Sequence, residues 1–257
     1  MKIDIFSFAV NDKFPIDIAC RQFKKYLKED FEYILFNDAN DPEMEKNINI
    51  ITSCNNIKCV RVPQNIHKVN NPSGNYAETL NWAVHEYAVK NNHEIIVLMH
   101  TDLFPICDIS ISDIIGNYTV ASTIEFRVIE GKVFNYLYPA LTMVNMKLLQ
   151  NPSELNFDLL PGVDVGGKTK EFIEKYPQTV KFLSNHQADY IAAILHDQPI
   201  SEYFKEDIKI CRQHGLNAGW VANGIYHYMA GSQWNANNPT FAEGLKKRMD
   251  LFLQYFY

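Results

Sequence analysis

From Glu94 to Met99 the chain reads EIIVLM, five apolar residues in an unbroken run behind a single acid. A strand wetted on one face alternates apolar and polar side chains, so a continuous run of this length fits a strand covered on both faces. The segments before it alternate in type. Lys2–Val10 and Phe31–Phe36 are short apolar runs with strand character, and Lys58–Val62 is a third. Pro15–Leu27 between them reads as a helix, with Ile16, Ala19, Cys20, Phe23 and Leu27 on one face. Asp41-Pro42 opens a second helix by N-cap and first-turn chemistry, with Met44, Ile48 and Ile51 as its stripe. Asn75-x-x-Glu78 has the form of a capping box for a third, running to about Asn91 with Tyr76, Leu80, Ala83, Val84 and Tyr87 inward. This order predicts a mostly parallel sheet with right-handed crossovers and helices on both faces. Ligands of such sheets gather at the carboxyl ends of the strands.

The remainder is less regular. Thr119–Val128 and Val133–Val144 read as two long strands, antiparallel about Glu130-Gly131. Lys168–Tyr176 and His186–Leu195 are predicted helices and Asp207–Cys211 a short strand. Asn238-Pro239 opens a last helix that buries Leu245, Met249, Phe252 and Phe256. No repeat or flexible linker interrupts the 257 residues, which predicts one domain with two halves, 1–106 and 107–257.

Composition narrows the function. The net charge is −6, and the five arginines (21, 61, 127, 212, 248) are scattered, so a nucleic acid is not an expected partner. The five cysteines (20, 54, 59, 107, 211) contain no CxxC pair, and all but Cys107 sit among apolar neighbours, as buried reduced thiols do. The first residues, MKIDIFSFAV, do not read as a signal peptide, and no apolar run reaches the ~20 residues of a membrane span. The expectation is a cytoplasmic protein without a transmembrane segment.

The chemistry concentrates between Asn70 and Ile106. A polar loop (Asn70-Asn71-Pro72-Ser73-Gly74) feeds the third helix, the buried strand follows, and His100-Thr101-Asp102 stands at that strand's end. This arrangement resembles the nucleotide-sugar-binding half of GT-A fold glycosyltransferases. Those enzymes carry a Gly-containing loop, a helix with an LNxAV-like core (Leu80–Val84 here), an apolar strand and then a DxD motif. The resemblance implies a Rossmann-like α/β fold. It also implies transfer of a sugar from a nucleoside-diphosphate sugar to a carbohydrate or glycan hydroxyl. Asp102 takes the place of the second DxD carboxylate, which holds Mn²⁺ or Mg²⁺ against the diphosphate. His100 stands where the family has Asp, and suits a hydrogen bond to ribose or phosphate, or coordination of Mn²⁺. Without the resemblance, Asp102 reads simply as the cap of the turn before Pro105.

The same resemblance assigns Phe8, Ala9 and Val10, then Asn37 and Asp38, to the base and ribose, with Gly74, Asn75 and Thr101 completing the donor site. In Pro161–Gly167 (PGVDVGG) it makes Asp164 the base that deprotonates the acceptor in an inverting displacement. In Ile225–Trp234 (IYHYMAGSQW) it makes His227 a second metal ligand, with Trp220, Tyr226 and Trp234 offering flat faces to the acceptor sugar. Two other readings remain open. Gly162–Thr169 satisfies GxxxxGK[ST], the phosphate-cradling loop of NTPases and small-molecule kinases, although Pro161 and LNFDLL make a poor preceding strand. A sugar- or nucleotide-binding module without catalysis is the other.

Overall fold

The apolar run is the middle of a sheet in the computed structural model, which describes residues 2–10, 16–68, 71–187, 191–192, 200–229 and 239–257. In chain order the elements are β1 (Ile3–Ala9), α1 (Ile16–Tyr26), β2 (Phe31–Asn37), α2 (Pro42–Cys54), β3 (Lys58–Arg61) and α3 (Pro72–Trp82). There follow β4 (Ile95–His100), β5 (Leu103–Pro105), α4 (Ile111–Ile115), β6 (Val120–Ile129), β7 (Lys132–Asn145) and α5 (Thr169–Lys175). The last are β8 (Val180–Phe182), β9 (Asn185–Gln187), α6 (Ile200–His214), β10 (Trp220–Ala222), β11 (Ile225–His227) and α7 (Pro239–Phe256). Two compact units share them, one from residues 1–11, 27–101 and 110–183, the other from 12–26, 102–109 and 184–257. Each unit draws on both sides of residue 106.

The first unit holds a seven-stranded sheet in the order β3-β2-β1-β4-β7-β6-β8. Four of its six pairings are parallel, while β7 runs antiparallel to both β4 and β6, so the sheet is mixed and mostly parallel. From β2 through α2 the chain moves outward to β3, and through α3 it returns to β4 on the far side of β1. Right-handed crossovers in opposite directions put α2 and α3 on opposite faces and make the β1/β4 border the switch point of the sheet. Ile95 to Met99 are all fully buried, as a doubly covered strand requires. On the α3 face, Phe36 stacks on Phe8 at 5.1 Å and meets Phe6 at 4.9 Å, with Leu80, Ala83 and Val84 closing the same cluster.

The second unit is built on a four-stranded antiparallel sheet, β5-β11-β10-β9, with α1, α6 and α7. Its core is aromatic: Phe104 meets the rings of Tyr226, Phe252 and Phe256 at 5.0–5.6 Å. No described helix is long and apolar enough to cross a membrane.

Several expectations are corrected. Asp207–Cys211 is not a strand; it lies within α6, where Tyr203, Phe204, Asp207, Ile208 and Cys211 share a buried helical face. The alternation of Ile208 and Ile210 with charges mimics a period of two, and the longer 3.6-residue period prevails. His186, predicted helical, is in β9 opposite Val221; residues 188–190 and 193–195 of that prediction fall outside the described residues, as does Asn70. The third helix begins earlier than predicted. Asn71 is its N-cap, its Oδ1 accepting the Gly74 N–H at 2.7 Å, so Gly74 belongs to the first turn and not to a loop. Glu78 closes no capping box, because both its oxygens accept from the Lys68 N–H. A π-helical stretch, Ala83–Ala88, extends α3. Cys20 and Cys211 are buried as expected, whereas Cys54 is exposed at the end of α2.

Phe36 is the side chain on which the α3 face converges. Phe36→Ala is therefore expected to lower the unfolding free energy by about 3–5 kcal/mol in chemical denaturation.

Candidate functional site

Register aligns the carboxyl ends of the central strands of the first unit. Phe8 lies opposite His100, Ala9 opposite Asn37, and Asn37 opposite Arg61. Phe8, Ala9 and Asn37 are buried, and form the wall of this end and not its surface. The Asn37 amide is consumed locally, donating to Glu45 O and Asn49 Oδ1 while its Oδ1 accepts the Ala39 N–H. Val10, Asn75 and His100 are half-buried. The His100 ring meets the Tyr76 ring edge-on at 5.3 Å and the Tyr138 ring at 6.4 Å, so two tyrosines from α3 and β7 flank it.

Asp38 is 2% exposed and works as a knot. Its Oδ1 receives Gln64 Nε2 at 3.1 Å and stands 2.8 Å from His67 Nε2, and its Oδ2 accepts the Thr79 hydroxyl at 2.7 Å. One carboxylate thus ties the end of β2 to the loop after β3 and to α3. Gln64, His67 and Thr79 escape the sequence reading, although the rule that polar residues at strand ends carry function, applied after β3, points to Gln64 and His67.

Thr101 and Asp102 are buried, at 1% and 3% exposure. Two peptide units separate the Cα atoms of His100 and Asp102, so connectivity alone keeps them within about 7 Å. Inside the second unit, Asp102 Oδ1 lies 3.2 Å from His227 Nε2, and Asp102 O accepts the Tyr228 N–H at 3.0 Å. The pair is held from three sides. Trp220 packs edge-on to the His227 ring at 4.9 Å, with only 6% of its surface exposed. Gly219 leaves room for the His227 carbonyl, which a Cβ at that position would strike. Arg248, 1% exposed, donates to Tyr228 O at 2.8 Å and forks onto Asp207 at 2.6 and 3.0 Å. The Asp207 contacts hold Arg248 charged despite its burial, and desolvation raises the Tyr228 hydroxyl well above its usual range. A carboxylate oxygen beside an imidazole nitrogen is a donor set that fits a divalent ion, and the nitrogen favours a transition metal over Mg²⁺. Tyr226 is fully buried and donates to Asp207 Oδ2 at 3.2 Å, so it is a core aromatic without a face for a sugar. Trp234 lies outside the described residues.

Asp164 is exposed in a loop packed on β7. Gly166, at φ +89°, lets the loop touch the strand, since a Cβ there would sit 2.6 Å from Leu137 O. Between Leu137 and Thr142 β7 bulges, since β6 advances only from Ile124 to Ser122 over the same stretch, and the loop packs against β7 at this irregularity. Asp164 Oδ1 accepts the N–H of Val165 at 2.8 Å. Beside it Tyr136 is desolvated and donates to Glu125 at 2.6 Å, and both effects raise its ionisation well above the tyrosine range.

The same loop answers the phosphate-cradle reading. The N–H groups of Val163, Gly166, Gly167, Lys168, Thr169 and Lys170 bind Leu160, Phe157, Asp164, Asp158, Gly166 and Gly167 carbonyls in turn. Thr169 Oγ1 donates to Gly166 O and accepts from Leu137 N, and Lys168 Nζ is paired with Asp158 at 2.9 Å. Among the described residues no strand leads directly into Gly162, the last one before it being β7, which ends at Asn145. A loop with its donors turned inward cannot cradle a phosphate, so the match to GxxxxGK[ST] is one of spelling.

No family model matches the sequence, and no curated protein does. Several solved structures align with part of the chain. The apo structure of the bifunctional glycosyltransferase WbbM aligns with a TM-score of 0.47 at 11% identity, over 70% of this chain and 38% of that one. Glucosyl-3-phosphoglycerate synthase from Mycobacterium tuberculosis, in complex with uridine diphosphate, aligns at 0.44 and 14% identity, over 70% of this chain and 69% of that one. The mannosyltransferase Ktr4p from S. cerevisiae aligns at 0.41 and 8% identity, over 58% and 57%. The chain thus spans about 38% of the length of WbbM.

The Arg248–Asp207 pair braces the strand that carries His227. Arg248→Met leaves the Asp207 carboxylate buried without its countercharge, with an expected loss of about 3–5 kcal/mol in denaturant unfolding. Replacing both partners with apolar residues is expected to recover much of that loss.

Proposed function

We propose that this chain is a glycosyltransferase, moving a sugar from a nucleoside-diphosphate sugar to a hydroxyl of a carbohydrate acceptor with inversion at the anomeric carbon. One observation carries the reading. The doubly covered strand at the switch point ends in His100-Thr101-Asp102, and Asp102 is buried 3.2 Å from His227. Asp102 and His227 would hold the divalent ion, Mn²⁺ in preference to Mg²⁺, and the ion supplies positive charge to the departing diphosphate. His100, two residues from Asp102, adds an imidazole that hydrogen-bonds phosphate or joins the metal ligands. Val10, Asp38, Gly74, Asn75 and Thr101 border the donor, over the wall made by Phe8, Ala9 and Asn37. Asp164 takes the proton of the acceptor hydroxyl. The acceptor oxygen bonds to the anomeric carbon as the bond to the diphosphate breaks, and that electron pair leaves on the diphosphate. Residues 1–106 serve mainly the donor and 107–257 the acceptor, with Trp220 beside it. The free cysteines suit a cytoplasmic enzyme.

The two carboxylates should fail differently. Asp164→Asn is expected to lower turnover ~10²–10⁴-fold and leave donor affinity nearly intact. Asp102→Asn is expected to weaken donor binding and turnover together and to abolish the response to Mn²⁺. Steady-state kinetics paired with equilibrium donor binding separate these outcomes. Full activity of Asp102→Asn, or activity indifferent to a chelator, removes the ion from the scheme. Equal loss of donor affinity in both variants removes Asp164 as the base. Donor binding without turnover by the wild type would make the chain a binding module.

A further inference from the structure

The β6–β7 hairpin ends in a two-residue turn, Glu130-Gly131, with φ of +50° and +76°, the geometry of a type I′ turn. In such a hairpin the residues flanking the turn, Ile129 and Lys132, exchange backbone hydrogen bonds, and so do alternate pairs behind them. The N–H and C=O groups of Ile124, Phe126 and Val128 therefore point away from β7. Among the described residues the only strand along that side of β6 is β8, which pairs with Val120–Ser122 and stops there. Phe126, Val128 and Val133 are 64%, 62% and 60% exposed on one face of the hairpin. A free edge flanked by exposed apolar side chains is a template for another strand.

Which strand is decided by charge and register. We propose that the outer edge of β6 pairs antiparallel with the same edge of a second copy of this chain. For two identical edges related by a twofold axis, each register is defined by the residue at the centre. Centring on Glu125 sets two carboxylates face to face, and centring on Arg127 sets two guanidinium groups face to face. Centring on Phe126 alone sets Glu125 against Arg127 of the other copy, twice, with Ile124 opposite Val128 and the two Phe126 rings together. In that register every outward N–H and C=O of Ile124, Phe126 and Val128 meets its counterpart. Glu125 and Arg127 already share a face, 3.7 Å apart within one chain, so pairing makes a square of alternating charges. The Arg127 guanidinium also donates to Phe126 O at 3.3 Å, a bond given up when Arg127 turns to the other copy. The joint places two hairpins side by side, each adjoining its own Asp164 loop, where Ile129 Cδ1 lies 3.1 Å from the Cβ position at Gly162. This dimer does not depend on the glycosyltransferase reading.

Sedimentation equilibrium of the full chain, from about 1 to 200 µM, tests it, because an interface of a few strand residues gives affinity in the micromolar range. The wild type is expected to be a monomer at the low end and a dimer at the high end. Arg127→Glu is expected to raise the dissociation constant at least about 10-fold through two Glu–Glu contacts, and the exchange Glu125→Arg with Arg127→Glu to restore it. Phe126→Pro removes an N–H that the hairpin itself does not use, so it should leave the circular dichroism spectrum unchanged and the protein monomeric. A wild type monomeric at 200 µM overturns the proposal. So does a dimer that survives both Arg127→Glu and Phe126→Pro. Failure of the charge exchange to restore the dimer in a chain with native circular dichroism overturns the register.

Discussion

Strand β4 is the constraint from which the rest follows. Its backbone is buried on both faces, so every N–H and C=O along it needs a partner strand. It finds β1 in parallel on one side and β7 antiparallel on the other. The parallel side demands a crossover, which α3 supplies; the antiparallel side supplies a long strand that runs past the end of β4. Where β4 stops, the chain passes into the polar triplet His100-Thr101-Asp102, with His100 half-buried and Thr101 and Asp102 buried. A polar triplet at the end of such a strand is held by the sheet beneath it.

Buried charges are handled by two devices, one in each unit. Asp38 is satisfied by Gln64 and His67 from the loop after β3 and by Thr79 from α3, which fixes the loops around the ends of β2 and β3. In the second unit a bidentate Arg248–Asp207 pair is buried beneath Tyr226 and Tyr228. Two desolvated charges gain little net stability over an apolar pair, yet removing either alone is costly. Their geometric effect is to hold the Tyr228 carbonyl and, through the neighbouring peptide, the strand that presents His227 to Asp102.

The legible part of the fold was local. The apolar run of β4, the turn at Glu130-Gly131 and the opening of the last helix at Pro239 follow from period and turn chemistry, whereas of its expected buried stripe only Phe252 is fully buried, beside Gly244 and Arg248. Asp102 and Asp164 were singled out by the resemblance and not by period. What escaped depended on partners distant in sequence. His186 pairs with β10 more than thirty residues away, and α6 hides a strand-like alternation inside a helical period. Tyr226 looked like a platform for sugar, but the burial of its ring against Phe104 and Phe204 comes from three separated segments. The GxxxxGK[ST] spelling stayed open for the same reason: carbonyls such as those of Phe157, Asp158 and Leu160 show that the loop's donors are spent.

Calorimetric titration of the wild-type chain with nucleoside-diphosphate sugars, in Mn²⁺ and then in excess chelator, tests the central claim most directly. Saturable one-site binding is expected in Mn²⁺, weakened at least about 10-fold by the chelator because the buried Asp102 and His227 then meet the diphosphate without their cation. Binding of ATP with no binding of any nucleotide sugar, or equal affinity with and without the ion, would contradict it.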